Sequence, residues 1–326
     1  MNSLRGPAAN ATAQSRVPAR AALVGNPSDG YGGAVLGLPL SSVSATVGAV
    51  CRKPTGELDG GLARLVAAAT EVVTRSGWPV PASLDWFVDT TIPREVGLSG
   101  SSAVILGVIE TLAQFAGIDH SPDVFAAMAL SAEVDVLGWT AGLQDRVLQA
   151  HNRPLLMDFD PGLMTQVDGW PAGRYTPIDA RLLPAVVFVA YRADMGEPSH
   201  AALGRTRLRL DQVHAVMADS ADLARRAHQC LLSHDLAGFG DAMNRSFQNR
   251  CEVLEVDVRQ IELVDTYRDI GGVAVNSAGS GGSVSGAVIA GDPVEALARI
   301  EATATRCGHG LIVAQGGQLS PQARRP

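Results

Sequence analysis

Lysine is almost missing. The chain of 326 residues has one, Lys53, and its other long cationic side chains are arginines. Any chemistry that needs an amine nucleophile or a lysine phosphate anchor therefore rests on that residue. Lys53 sits in CRKPTGE, a turn-forming stretch, and no G-x-x-x-x-G-K-[ST] occurs, which excludes the usual P-loop. Cysteine is scarce as well. Cys51, Cys230, Cys251 and Cys307 form no C-x-x-C pair and have no histidine at zinc-ligand spacing, so free thiols in a reducing cytoplasm are expected. Basic clusters interleaved with aromatics are absent and the net charge is -7, which gives no field for nucleic acid. No apolar run reaches the roughly eighteen residues needed to span a membrane. The opening MNSLRGPAANATAQSRVPAR lacks an apolar core and is not a secretory signal; residues 1–18 are expected to form a disordered tail.

What remains is 46% hydrophobic and 18% charged, the composition of a soluble globular protein long enough for one large or two fused domains. AVLGLPLSSVSATVGAV is β-branched and small, and predicts two strands interrupted at Pro39. Helical spacing runs through Leu62, Leu65, Val66, Ala69 and Val73 to a stop at Gly77, and SLDWFVDTTI alternates like a strand. SSAVILGVIETLAQFAG predicts a buried helix ending at Gly117, and Ser121-Pro122-Asp123 opens another. AGLQDRVLQAH is helical and RPLLMDFD a strand, after which a proline- and glycine-bearing segment hands over to a second set of elements. There AVVFVAYRA reads as a strand, residues 199–232 as helical, and VAVNSAGSGGSVSGAVIAG as strand, glycine turn, strand. No regular βαβ repeat appears, so the fold class is α+β with two lobes, divided into residues 19–178 and 179–326.

Three segments carry chemistry. In IPREVGLSGSSAV, Gly97 and Gly100 allow positive φ and close approach of the backbone to a ligand. The following helix offers unsatisfied N–H groups and a partial positive charge, and Ser99, Ser101 and Ser102 add hydroxyls, so an anion site needs no lysine. The simpler reading is that Ser101 or Ser102 only caps the helix. Second, Glu133 and Asp145 flank a glycine-interrupted turn in EVDVLGWTAGLQDR, where one acid could hold Mg²⁺ and the other orient or deprotonate a hydroxyl. The competing readings are a solvated helix-face acid and a neighbour of Arg146. Third, NSAGSGGSV is a second glycine turn, which on its own reads equally well as a tight hairpin.

In this order the three segments resemble the GHMP kinases. Pro93 to Ala103 matches the family's P-x-x-x-G-L-x-S-S-A with one residue added between the leucine and the serine pair. Glu133, Gly138, Ala141, Gly142 and Asp145 match its second motif with alanine for serine, GNPSDGYGG its first, and AGSGGSV its third. GNPSD, VGLSGSSA, AGLQDR followed by MDF, and GSGG are most similar to glucuronokinases. The resemblance implies a ribosomal-S5-like N-terminal domain, a ferredoxin-like C-terminal domain and a site in the cleft between them.

It further implies ATP phosphates on Pro93, Gly97, Leu98, Ser99, Gly100, Ser101, Ser102 and Ala103, and Mg²⁺ on Ser101 (or else Ser102) and Glu133. Asp145 would serve as base or as orienting acceptor. Arg20 stands where several relatives have lysine, and can stabilise charge but not shuttle a proton at neutral pH. Asn26, Asp29, Tyr31, Gly142, Arg146, Gly279, Ser280 and Gly281 would face the acceptor. Arg146, Arg153, Arg192 and Arg205 are candidate partners for an acceptor carboxylate. Asn276 replaces a lysine common at the third motif. The expectation is a cytoplasmic kinase of a small sugar or sugar acid, monomeric or homodimeric. Mevalonate-type or amino-alcohol acceptors and a silent ligand-binding relative are the alternatives.

Overall fold

The computed structural model describes residues 10–195 and 210–315. The N-terminal lobe is built on a long antiparallel pair, β1 (Thr12–Val24) and β2 (Ala34–Val50). β3 (Asp85–Thr90) pairs with the far end of β2, β4 (Leu155–Asp158) with its near end, and β7 (Arg174–Pro177) with β4. Between β4 and β7, β5 (Thr165–Val167) and β6 (Trp170–Ala172) form a small hairpin.

Two sequence expectations change here. The tail is shorter than expected, because residues 12–18 pair with residues 44–50; Ala13, Ser15 and Val17 turn inward while Thr12, Gln14 and Arg16 face solvent. Residues 1–9 of the expected tail lie outside the described residues. Pro39 does not split β2 into two strands. Among the described residues, positions 38–40 pair only with β1, so the proline's missing N–H need not break a ladder. The irregularity lies just after it: Ala19 faces Leu40 and Pro18 faces Ser44, which leaves residues 41–43 unpaired with β1.

The helices start and stop where their chemistry dictates. α1 (Gly60–Arg75) is capped by Asp59, whose carboxylate accepts from Gly61 N–H. α2 (Gly100–Ala116) packs on β1 and β2, is buried along most of its length, and ends at Gly117 with φ 66°. α3 (Pro122–Ser131) has its proline in the first turn and widens into a π-helical turn, Ala132–Val136, before α4 (Gln144–His151).

In the second lobe, β11 (Gly310–Gln315), β8 (Val186–Tyr191), β10 (Ser283–Val288) and β9 (Val273–Ser277) lie in that order, all antiparallel. α5 (Leu210–Leu232) packs on α6 (Leu236–Val253) and reaches across to β2. α7 (Val258–Arg268) and α8 (Pro293–Cys307) complete the lobe, the latter capped by Asp292. The helix expected from residue 199 is described from Leu210 onward. One hydrophobic cluster runs through both lobes, from Leu23, Leu36 and Ile105 to Val187, Ala274 and Ile312, so the lobes share a core. The fold is α+β. Among the described residues no helix is long and apolar enough to cross a membrane.

Candidate active site

Three loops meet above this core. The first, residues 25–31, lies in the connection from β1 to β2. The second, residues 92–99, leads into α2. The third, residues 278–282, joins β9 to β10. The second and third touch: a Cβ at Gly97, whose φ is 76°, would lie 2.8 Å from Gly281 O and 3.0 Å from Ser280 N. Only glycine allows that approach. A Cβ at Gly279 would in turn run into Gly97 O.

Ser99 immediately precedes α2 in the left-handed region, φ 59°, and makes no capping bond with its side chain. The capping role considered for Ser101 or Ser102 is therefore not theirs, since both lie within the helix. Ser99 spends its hydroxyl on Asp145 instead, donating to Oδ2 at 2.6 Å. Ser101 is exposed on the first turn, while Ser102, Leu98 and Ala103 are buried and anchor the loop to the core. Pro93 is half-buried at the loop's start.

Asp145, on the first turn of α4, is held tightly. Arg20 Nε donates to Oδ1 and Arg20 Nη2 to Oδ2, each at 2.6 Å, in a two-pronged pairing. Arg20 Nη1 reaches on to Gly97 O at 2.7 Å and Ala278 O at 3.0 Å. One guanidinium therefore links Asp145, the 92–99 loop and the glycine turn. Gln149, one turn along α4, supports the same loop by donating to Ser99 O and Pro18 O.

Glu133 is not a solvated helix-face acid. The π-helical turn buries it, and its Oε2 accepts from Arg146 Nη2, while Oε1 has no partner among the described residues. Arg146 also donates to Gly142 O at 2.7 Å and lies 3.6 Å from Asp145 Oδ2. Burial, and then the charge of Arg20, push the Arg146 guanidinium down to about 9, against the opposing pull of Asp29. Arg146, expected to face the acceptor, is thus committed to the protein's own acids.

Asp29 sits in a different environment from Asp145. Gln144 Nε2 donates to Asp29 Oδ1 at 2.9 Å and to Asn26 Oδ1 at 2.7 Å, and Asn26 donates to Gly279 O at 3.2 Å. A Cβ at Gly142 would strike the Asp29 carboxylate, which explains the glycine. Burial first, then the neighbouring Asp145 charge, raise the Asp29 carboxyl to about 6; N–H donation from Gln144 and Gly30 and the Arg146 charge oppose the shift. Tyr31 closes this side, edge-on to His214 at 5.5 Å.

Several candidates fall elsewhere. Arg153 is exposed, Arg192 pairs with Asp194, and Arg205 lies outside the described residues. Asn276 is buried and donates to Leu23 O and Ser246 Oγ, so it ties the lobes together rather than replacing a site cation. Sequence reasoning missed Gln144 as the bridge between Asn26 and Asp29, although it stands inside the quoted AGLQDR. It also missed Arg250, on the buried face of α6, whose Nη2 donates to Ser280 O at 2.7 Å. The signal was its helical spacing from Met243, Ser246 and Phe247. No group of three or more metal-binding side chains occurs among the described residues.

Residues 63–153 match the family model for the GHMP kinases N-terminal domain. Probable glucuronokinase 2 of Arabidopsis thaliana is 36% identical over 205 residues, covering 60% of this chain and 54% of that protein. Glucuronokinase 1 of the same plant is 33% identical over 204 residues, covering 60% and 55%. The chain thus spans about half the length of these curated relatives. A crystal structure of Lactococcus lactis galactokinase complexed with galactose superposes with a TM-score of 0.73 over 94% of each chain, at 17% identity. Residues 63–153 are thus similar to the GHMP kinases N-terminal domain, and the chain shares its fold with that galactokinase.

Proposed function

We propose that this protein is an ATP-dependent kinase that phosphorylates a hydroxyl of a small sugar, with a uronic acid as the acceptor class. The observation that carries the reading is the Arg20–Asp145–Ser99 knot beneath the amino end of α2, facing the Gly279–Gly282 turn.

The residues divide the work. The backbone from Gly97 to Ser102 cradles the ATP phosphates through N–H groups and the helix dipole. Asp145 meets the acceptor hydroxyl. Arg20 cannot take up a proton at neutral pH, so the hydroxyl's proton passes to Asp145 or to solvent. Arg20 fixes the Asp145 carboxylate and adds positive charge near the transferred group. Asp29, Asn26 and Gln144 hold further hydroxyls of the sugar. The unpartnered buried Oε1 of Glu133 suits a cation, and Glu133 with Ser101 would hold Mg²⁺. When bound, that ion offsets the charge of the phosphates.

Acceptor-dependent ADP release from Mg-ATP, measured across neutral sugars, uronic acids, mevalonate and amino alcohols, tests the reading. Release with a sugar or uronic acid alone is expected. Release only with mevalonate or an amino alcohol moves the protein to another branch. No release, with ATP still raising the melting temperature, marks a binding protein.

A further inference from the structure

Arg20 is paired with Asp145 and Arg146 with Glu133; Arg250 is the buried cation of the site with no carboxylate beside it among the described residues. Among the described residues its side chain bonds only Ser280 O, and its Nη1 is enclosed without a partner. Burial, and to a lesser degree the repulsion of Arg20, push the guanidinium down to about 10 against the opposing pull of Cys251. Taking a guanidinium out of water without a counter-charge is unfavourable, and the missing charge is what an anionic ligand would bring.

The position of Arg250 tells which ligand. Ser246, one turn earlier on α6, accepts from Gly25 N–H at 2.9 Å. Val253, one turn later, belongs to the cluster against which Tyr31 packs. Arg250 therefore lies alongside the 25–31 loop, the acceptor's side. The carbonyls of Ala278, Gly279 and Ser280 are held in succession by Arg20, Asn26 and Arg250. The phosphate cradle lies across this turn, at Gly97 and the start of α2.

We propose that Arg250 receives the carboxylate of the acceptor and so selects a sugar acid over the matching neutral sugar. This rests on the kinase reading above. A charge-assisted bond to a carboxylate is stronger than a neutral one and leaves a large penalty when its partner is absent, which is the physical basis for discrimination.

The test compares wild type, Arg250→Gln and Arg250→Lys with glucuronate and glucose. It measures ADP release, calorimetric binding beside a non-hydrolysable ATP analogue, and ligand-free melting. Arg250→Gln is expected to cut the glucuronate-over-glucose ratio of kcat/KM by about 10- to 100-fold and to raise the glucuronate Kd equally. The ATP analogue should still bind, and Arg250→Lys should recover part of the ratio. The ligand-free melting temperature of Arg250→Gln should equal or exceed that of wild type, because an uncompensated charge has gone. An unchanged ratio, or equal loss of both acceptors with a lowered melting temperature, would make Arg250 a prop for Ser280 and overturn the proposal. Wild type that prefers glucose overturns it too while the kinase reading stands. Wild type that binds glucuronate through Arg250 without any turnover upholds the carboxylate site while the kinase reading falls.

Discussion

The two sides of the site are built on opposite principles. On the donor side, Nε, Nη1 and Nη2 of Arg20 each have an acceptor, and both oxygens of Asp145 are bonded, by Arg20 and Ser99. On the acceptor side, Asp29 carries a carboxyl raised to about 6, Gln144 Oε1 is buried without a partner, and Arg250 Nη1 is enclosed and unpaired. The Arg20–Asp145–Ser99 knot is organised before any ligand arrives, as electrostatic catalysis requires. The acceptor side holds polar groups that a ligand would complete. Substitutions on the first should therefore damage stability and turnover together, and substitutions on the second should separate them.

The largest effect is expected at Asp145. Asp145→Asn removes the group that meets the hydroxyl, and losing such a group typically costs ~10²–10⁴ in rate. It also strands the buried Arg20, and breaking a buried pair from one side costs about 3–5 kcal/mol. Melting temperature and turnover should fall together in the single variant. Adding Arg20→Gln should restore part of the stability and none of the activity. Slow turnover at an unchanged melting temperature would remove the contrast between the two sides.

Gly97→Ala comes next. Its Cβ would lie 2.8 Å from Gly281 O and 3.1 Å from Gly281 N, and φ is 76°. Strain of this kind costs about 1–3 kcal/mol, so ATP affinity by calorimetry should fall roughly 5- to 100-fold, and turnover with it. Wild-type affinity in this variant would mean that the two turns need not touch when ATP binds.

The loops were legible in the sequence and their side-chain pairings were not, for physical reasons. Gly97 and Gly279 are demanded by backbone approach, which leaves a mark in any sequence. Which of three nearby serines does chemistry depends on the hand of one residue: Ser99 lies at φ 59°, which points its hydroxyl at Asp145 and leaves Ser101 on the surface. The Glu133–Arg146 pair spans a π-helical turn that ordinary helical spacing does not anticipate. Arg250 follows the apolar face of α6, where an arginine looks like an edge residue until its burial is known. The early start of β1 was written in alternation, but with small and polar residues at the inward positions Ala13 and Ser15 it resembled a loose tail. The two-lobed α+β fold was visible; the contacts that join the lobes required coordinates.

The smallest effect gives the most direct contrast between the sides. Asp29 has a folded-state carboxyl near 6 and an ordinary value of 3.8 when unfolded. Between these values the folded protein holds a proton that the unfolded chain has released. Stability from this group is therefore greatest in acid and is lost as pH rises toward about 6. Asp29→Asn has no charge to bury, so it should melt a few degrees above wild type at about pH 7.5, with the gain vanishing near pH 4. Acceptor KM should rise in the same variant, because a hydroxyl partner has changed from acceptor to amide. Asp145→Asn should lose stability under the same neutral conditions. Two neighbouring aspartates would then answer the same substitution with opposite signs of stability, and matching signs would dissolve the distinction between a prebuilt donor side and an acceptor side completed by its ligand.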